Sequence, residues 1–141
     1  MASTNTPHCF LDANAWLSAF IETQDQRKSA IAKTLIQDNV LVASTQVSNE
    51  VCVNLIKKAS FDEARVRRLI LSFYLEHYVV QIGKEILLMA SELRSRYRFS
   101  FWDSMIVSSA LSAAATILYS EDMDDGLIVD TRLTIVNPFA S

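Results

Sequence analysis

The sequence predicts an α/β fold with a mainly parallel central sheet. Three observations lead there. Short β-rich runs alternate with stretches of helical periodicity, so successive strands are joined by long crossovers rather than tight hairpins. Half of the 141 residues are hydrophobic and 21% are charged, a globular composition. Only two glycines and two prolines occur, with the prolines near the ends at Pro7 and Pro138, so nothing between them reads as a linker or repeat. At this length, one domain spanning residues 1–141 is expected, with a real core.

The elements follow in order. Cys9-Phe10-Leu11 reads as the first strand, and Ala15 to Glu22 and Gln26 to Gln37 as helices. Val40 to Ala43 is a second strand, followed by a helix from Gln46 to Lys58. Ser60-Phe61-Asp62-Glu63 has the capping-box pattern and opens a helix through Glu76. Tyr78 to Ile82 is a third strand and Lys84 to Tyr97 a helix, with His77 at the preceding helix end. Ser100-Phe101-Trp102-Asp103 is a second capping-box pattern, opening a helix to Ala115. Thr116 to Tyr119 is a fourth strand, with weaker strand candidates at Leu127 to Val129 and Leu133 to Val136.

The totals exclude several classes. Cys9 and Cys52 are too few for a disulfide scaffold and read as buried free thiols in a reducing compartment. The opening MASTNTPH has no apolar signal region. The most apolar stretch, Met105 to Tyr119, is broken by serines and is shorter than a spanning helix needs. A cytoplasmic protein with no membrane segment is expected. With Gly83 and Gly126 the only glycines, there is no phosphate-binding loop, dinucleotide fingerprint or nucleophile elbow. His8 and His77 are the only histidines, which disfavours zinc.

Against this background four acidic residues stand out: Asp12, Glu50, Asp103 and Asp122. Each falls where the local pattern predicts buried or half-buried surface, and no equal set of Lys or Arg shares those segments. Asp12 immediately follows the first strand and Asp122 closely follows the fourth, where ligands of parallel α/β sheets bind. Glu50 lies at the edge of the Val47, Val51, Asn54, Leu55 face, and Asn54 within it suggests a polar pocket under the helix. Asp103 begins the apolar stripe continued by Ile106, Val107, Ala110 and Ala114. Each has a plainer reading: Asp12 as a helix N-cap, Glu50 as an edge residue reaching water, Asp103 as a capping-box acid, Asp122 as part of a solvated turn. Asp122, Asp124 and Asp125 are not separable by spacing. Jointly the case is stronger. Two carboxylates ~4 Å apart repel by ~4 kcal/mol at an effective dielectric of 20, so a cluster calls for protons or a cation. Oxygen-only ligands favour Mg²⁺ or Mn²⁺, and such sites drive in-line phosphoryl chemistry.

The net charge of −3 is unevenly spread. Lys57 to Arg68 is net +3 and Lys84 to Arg98 net +2, while Glu121 to Arg132 is net −4. Neutralising the four acids takes the chain from −3 to +1, so a polyanion need not be repelled. Arg65 and Arg68 share a helix face and, with Arg98, are candidate phosphate contacts; Lys57, Lys58, Arg94 and Arg96 are further ones. Solvated surface charge is the plainer reading of each. Trp102 and Tyr97 read as core packing, with base stacking as the alternative.

These residues resemble a known family. Phe10-Leu11-Asp12-Ala13-Asn14, Val47-Ser48-Asn49-Glu50-Val51, Phe101-Trp102-Asp103-Ser104-Met105-Ile106 and Leu118-Tyr119-Ser120-Glu121-Asp122-Met123 are similar, in order and spacing, to the motifs of the PIN domain, within it the VapC-like ribonuclease toxins of toxin–antitoxin pairs. The resemblance implies a PIN-like three-layer α/β/α sandwich and endonucleolytic cleavage of RNA by metal-activated water, with Mg²⁺ or Mn²⁺ as cofactor. It also implies homodimers and inhibition by a cognate antitoxin. By position, Asp12, Glu50, Asp103 and Asp122 become the catalytic, metal-binding quartet, with Asn14 and Ser120 supporting and Asp125 as a further supporting acid or rival fourth ligand. The alternative is a catalytically silent PIN-like module that binds RNA or protein.

Overall fold

The structure, a computed structural model, describes residues 9–140. The opening segment MASTNTPH, with Pro7 and His8, lies outside them. The elements run β1 (Cys9–Leu11), α1 (Ala13–Phe20), α2 (Gln26–Asp38), β2 (Leu41–Ser44), α3 (Thr45–Ala59), α4 (Glu63–Glu76), β3 (Tyr78–Val80), α5 (Lys84–Arg96), α6 (Phe101–Ser112), β4 (Ile117–Tyr119), β5 (Ile128–Val129) and β6 (Leu133–Val136).

The six strands form one sheet in the order β3-β2-β1-β4-β6-β5. All neighbours are parallel except β5, which pairs antiparallel with β6. Parallel strands carry helical crossovers on both faces and so read as apolar throughout, as in β2, where Leu41, Val42, Ala43 and Ser44 are all buried. The chain winds outward from β1 to β2 to β3, then returns across β1 to β4. Right-handed crossovers put helices of opposite winding on opposite faces. α1 to α4 therefore cover one face, with α1 against α2 and α3, and α3 against α4; α5 and α6 pair on the other. The result is a three-layer α/β/α sandwich. No helix among the described residues is long and apolar enough to cross a membrane.

Three local expectations are corrected. Ser60 does not cap α4. It ends α3 in the left-handed conformation at φ 55, and Asp62 caps α4 by accepting from Arg65 N–H. The Ser-x-x-Glu pattern straddled one helix end and the next start, and Asp62 was the nearer capping group. α6 stops at Ser112, not Ala115. Ala114, assigned to its apolar stripe, is exposed at φ 58, and Ala115 N–H closes onto the Ala110 carbonyl. Asn54 does not line the cleft beside α3, which Gln46, Asn49 and Glu50 do; its Nδ2 turns back to donate to the Glu50 carbonyl at 2.8 Å.

α6 is buried on every side from Ser104 to Leu111. Its serines satisfy themselves on backbone: Ser108 Oγ donates to the Ile86 carbonyl of α5 and Ser109 Oγ to that of Met105, both at 2.8 Å. Small residues there let α6 lie close to α5 and the sheet, which fixes Asp103 in its first turn.

Candidate active site

β1 and β4 are the strands at which the winding reverses, and the crevice beyond their carboxyl ends is where such sheets bind ligands. Asp12 and Ser120 stand there, one residue past each strand. Asp12 N–H donates to the Tyr119 carbonyl and Ser120 N–H to that of Val136, both at 3.0 Å, so the ladder holds the backbone on either side. Asp12 caps α1: its Oδ1 accepts from Ala13 N–H at 2.7 Å, and its Oδ2 from Ser120 Oγ at 2.9 Å.

The other acids surround this corner. Glu50 comes from α3, where Gln46 Nε2 donates to its Oε1 at 3.2 Å. Asp103 comes from the first turn of α6, whose Ser100 cap accepts from Asp103 N–H at 3.1 Å. Asp122 follows β4, and Asn14 Nδ2 donates to its Oδ2 at 2.6 Å. The quartet is more open than the sequence suggested. Only Asp12 is buried, at 8% exposure; Asp103 is half-buried, and Glu50 and Asp122 are exposed. Periodicity placed Glu50 correctly at the edge of the α3 face, but the edge opens to solvent.

Electrostatics tie the four together. Burial pushes the Asp12 carboxyl from 3.8 up to about 6. The Ser120 and Ala13 hydrogen bonds pull against that, and the Glu50 and Asp103 carboxylates add to it. Burial also raises Asp103, opposed by Ser100 and reinforced by Asp122. No described lysine or arginine is hydrogen-bonded to Asp12; Lys28 of α2, which feels the Asp122 charge, is taken by Glu121 at 2.7 Å, which raises its pKa.

Does this set suit a divalent ion? Among the described residues, no three Asp, Glu, His or Cys side chains are already gathered around a common point. The donor chemistry nevertheless fits a hard cation. All four are carboxylates, the most buried one is destabilised as an anion, and Glu50 and Asp122 are exposed arms anchored by one amide each. Asp125 is occupied differently: its Oδ1 accepts from Asn137 N–H at 2.8 Å, pinning the segment before β5 to the end of β6.

The basic candidates are dispersed. Arg65 and Arg68 are exposed on α4, with Arg65 over the Phe61 ring, and Arg98 is exposed beyond α5. Arg96 is held by Asp130 and Glu92, and Arg94 lies over Phe101. Lys28 was not singled out by the sequence, although it stands beside the acidic segment. Tyr97 packs against the core with its hydroxyl on Asp130. Trp102 does not: it is 60% exposed, at the mouth of a cleft of about 630 Å³ that Glu50 also lines. Cys52 is buried and Cys9 half-buried, both as free thiols.

Ser120 is the simplest handle on this geometry. Ser120→Ala removes a hydrogen bond that holds Asp12 down, so the Asp12 carboxyl is expected to rise further. Partners of this kind affect metal affinity by about 10–100-fold. A Mn²⁺ titration of the variant should show a loss in that range, growing as pH falls through about 6; unchanged affinity would mean Ser120 serves only the fold.

The PIN domain family model matches residues 9–126. A toxin–antitoxin complex from Klebsiella pneumoniae superposes with a TM-score of 0.68 at 17% identity, covering 92% of this chain and 97% of that one. Mycobacterium tuberculosis VapC20, a toxin that cleaves the sarcin–ricin loop, superposes at 0.65 and 19% identity, covering 82% and 91%. No curated protein sequence matches the chain significantly.

Proposed function

The chain belongs to the PIN domain family, and on that premise we propose that it is a metal-dependent endoribonuclease, the toxin of a toxin–antitoxin pair. The observation that carries the reading is the electrostatically coupled carboxylate cluster at the β1–β4 switch point. Two of its structural neighbours support it, one described as a toxin–antitoxin complex and one as a sarcin–ricin-loop-cleaving toxin.

Asp12, Glu50, Asp103 and Asp122 would hold Mg²⁺ or Mn²⁺, which supplies a water of lowered pKa and charge stabilisation for an in-line displacement at phosphorus. The chain's own residues set the stage. Ser120 and the Ala13 N–H fix both oxygens of Asp12, and Asn14 and Gln46 aim Asp122 and Glu50. With those acids neutralised the chain is net positive, which admits the RNA backbone, with Arg65, Arg68 and Arg98 as further contacts. Leu71 and Leu75, 59% and 82% exposed one turn apart on α4, support association with a second copy or the antitoxin. A cytoplasmic location accords with this role.

The runner-up, a silent PIN-like module, shares the fold but needs no ion. Melting with and without millimolar Mn²⁺ separates them. An upward shift, with RNA cut only when the ion is present and not in EDTA, is expected. No shift together with no cleavage would favour the silent module.

A further inference from the structure

Beside the acidic corner, the start of α3, the end of β3 and the start of α6 enclose a cleft of about 630 Å³. Its walls include Ile82, Met105 and the indole of Trp102; Gln46 and Asn49 bring amides, and Glu50 sits on its lip. Apolar walls, an open aromatic ring and a few amides are what a flat heteroaromatic ligand requires. The volume admits a nucleobase with room to spare.

The Gln46 amide makes the case specific. Its Nε2 donates to the Glu50 carboxylate, which can only accept, so its orientation is fixed and Oε1 points elsewhere. That Oε1 is buried and has no hydrogen-bond partner. A buried acceptor left unmatched is costly, and Gln46 lines the cleft, so a small shift of its side chain that opens Oε1 to a ligand N–H would relieve that cost. Trp102, meanwhile, leaves 60% of its surface open in a chain whose other tryptophan, Trp16, is 2% exposed. Trp102 meets the Phe101 ring edge-on, but Phe101 is itself 48% exposed, so that contact does not bury the indole.

We propose that this cleft is a base subsite, in which the nucleobase beside the scissile phosphate stacks on Trp102 and donates an N–H to Gln46 Oε1. The proposal rests on the ribonuclease reading and names the part of the substrate that reading leaves open. It also fixes a preference. Adenine and cytosine, like guanine, present an exocyclic amino group to Gln46. Uracil offers one N–H flanked by two carbonyl oxygens, which would face the Gln46 oxygen and the Glu50 carboxylate. Amino-bearing bases are therefore favoured.

Two measurements test this. The first is quenching of indole emission by adenosine, cytidine and uridine, which carry no phosphate and cannot be cut. Trp16 is buried, so the change reports Trp102. Adenosine or cytidine should half-saturate at roughly tenfold lower concentration than uridine, and Gln46→Met should erase the difference. The second is cleavage, with Mn²⁺, of short RNAs varied at the nucleotides flanking the cut. Trp102→Ala should raise KM by roughly 5- to 150-fold with little change in kcat. Equal quenching by all three nucleosides, or a preference that survives Gln46→Met, overturns the assignment. So does quenching by an antitoxin-derived peptide alone, which would make the cleft a protein-docking groove. Selective quenching in a chain that cuts no RNA would sink the ribonuclease reading and leave the cleft as a nucleobase-binding site with no cut beside it. Cleavage with no base selectivity beside the cut would do the reverse.

Discussion

Asp12→Asn is expected to lose RNA cleavage by at least about 100-fold while gaining stability in the absence of metal. The two effects have one cause. Asp12 is 8% exposed, and burial lifts its carboxyl to about 6 from 3.8. The folded state therefore binds this proton more tightly than the unfolded one. The stability it contributes is fully present below about pH 4 and is lost as pH rises through 6. A shift of this size amounts to about 3 kcal/mol near pH 7, as an order of magnitude. Asparagine carries no charge to desolvate, still caps α1 through its oxygen, and can turn its amide toward Ser120 Oγ. Urea unfolding in EDTA should show the variant more stable at pH 7.5, with the advantage vanishing near pH 4. A variant less stable than the parent at both pH values would mean Asp12 is chiefly structural.

Trp16→Ala should remove a large share of the folding free energy. The indole is 2% exposed and meets the Phe73 ring edge-on at 4.8 Å and His77 at 5.2 Å. Its Nε1 donates to the Leu11 carbonyl at 3.0 Å, directly before Asp12. His77 extends the same joint: its Nδ1 accepts from Leu41 N–H at 3.0 Å, and burial lowers its pKa and keeps it neutral. Truncation leaves a cavity where α1, α4 and the sheet meet, and orphans the carbonyl. Such losses run to about 3–5 kcal/mol, against about 5–15 for a whole domain. Denaturation midpoints should fall accordingly, with Trp16→Phe recovering most of the loss. A shift below about 1 kcal/mol would contradict the packing described.

Most of the fold was legible in the sequence because the strands are short apolar runs and the crossovers between them are long and periodic. Asp12 was legible for a similar reason: an acid directly after a buried strand has few places to go. Glu50 and Asp122 were harder. Periodicity locates a helix edge, and spacing locates a turn, but neither tells how far that edge is open to solvent. Ser60 and Ala114 misled because helix ends are settled by which backbone groups need partners, and residues other than glycine can take the left-handed step. Trp102 misled most usefully. Its place in an apolar helix start implied the core, yet α6 turns Met105, Ile106 and Val107 inward and leaves Phe101 and Trp102 out. The unmatched Gln46 oxygen carries no trace in the sequence, since it depends on how α3 and α6 lie together.

The most direct measurement is cleavage of one RNA substrate by the purified chain and by Asp103→Asn, each with Mn²⁺ and with EDTA. Asp103 is half-buried at the start of α6 and coupled to Asp122 and Asp12, while Ser100 still caps the helix in the variant. The parent should cut only with Mn²⁺, and Asp103→Asn should remain folded by circular dichroism and cut in neither condition. Undiminished cleavage by Asp103→Asn, or cleavage by the parent in EDTA, would show that the four carboxylates are not the site at which RNA is cut.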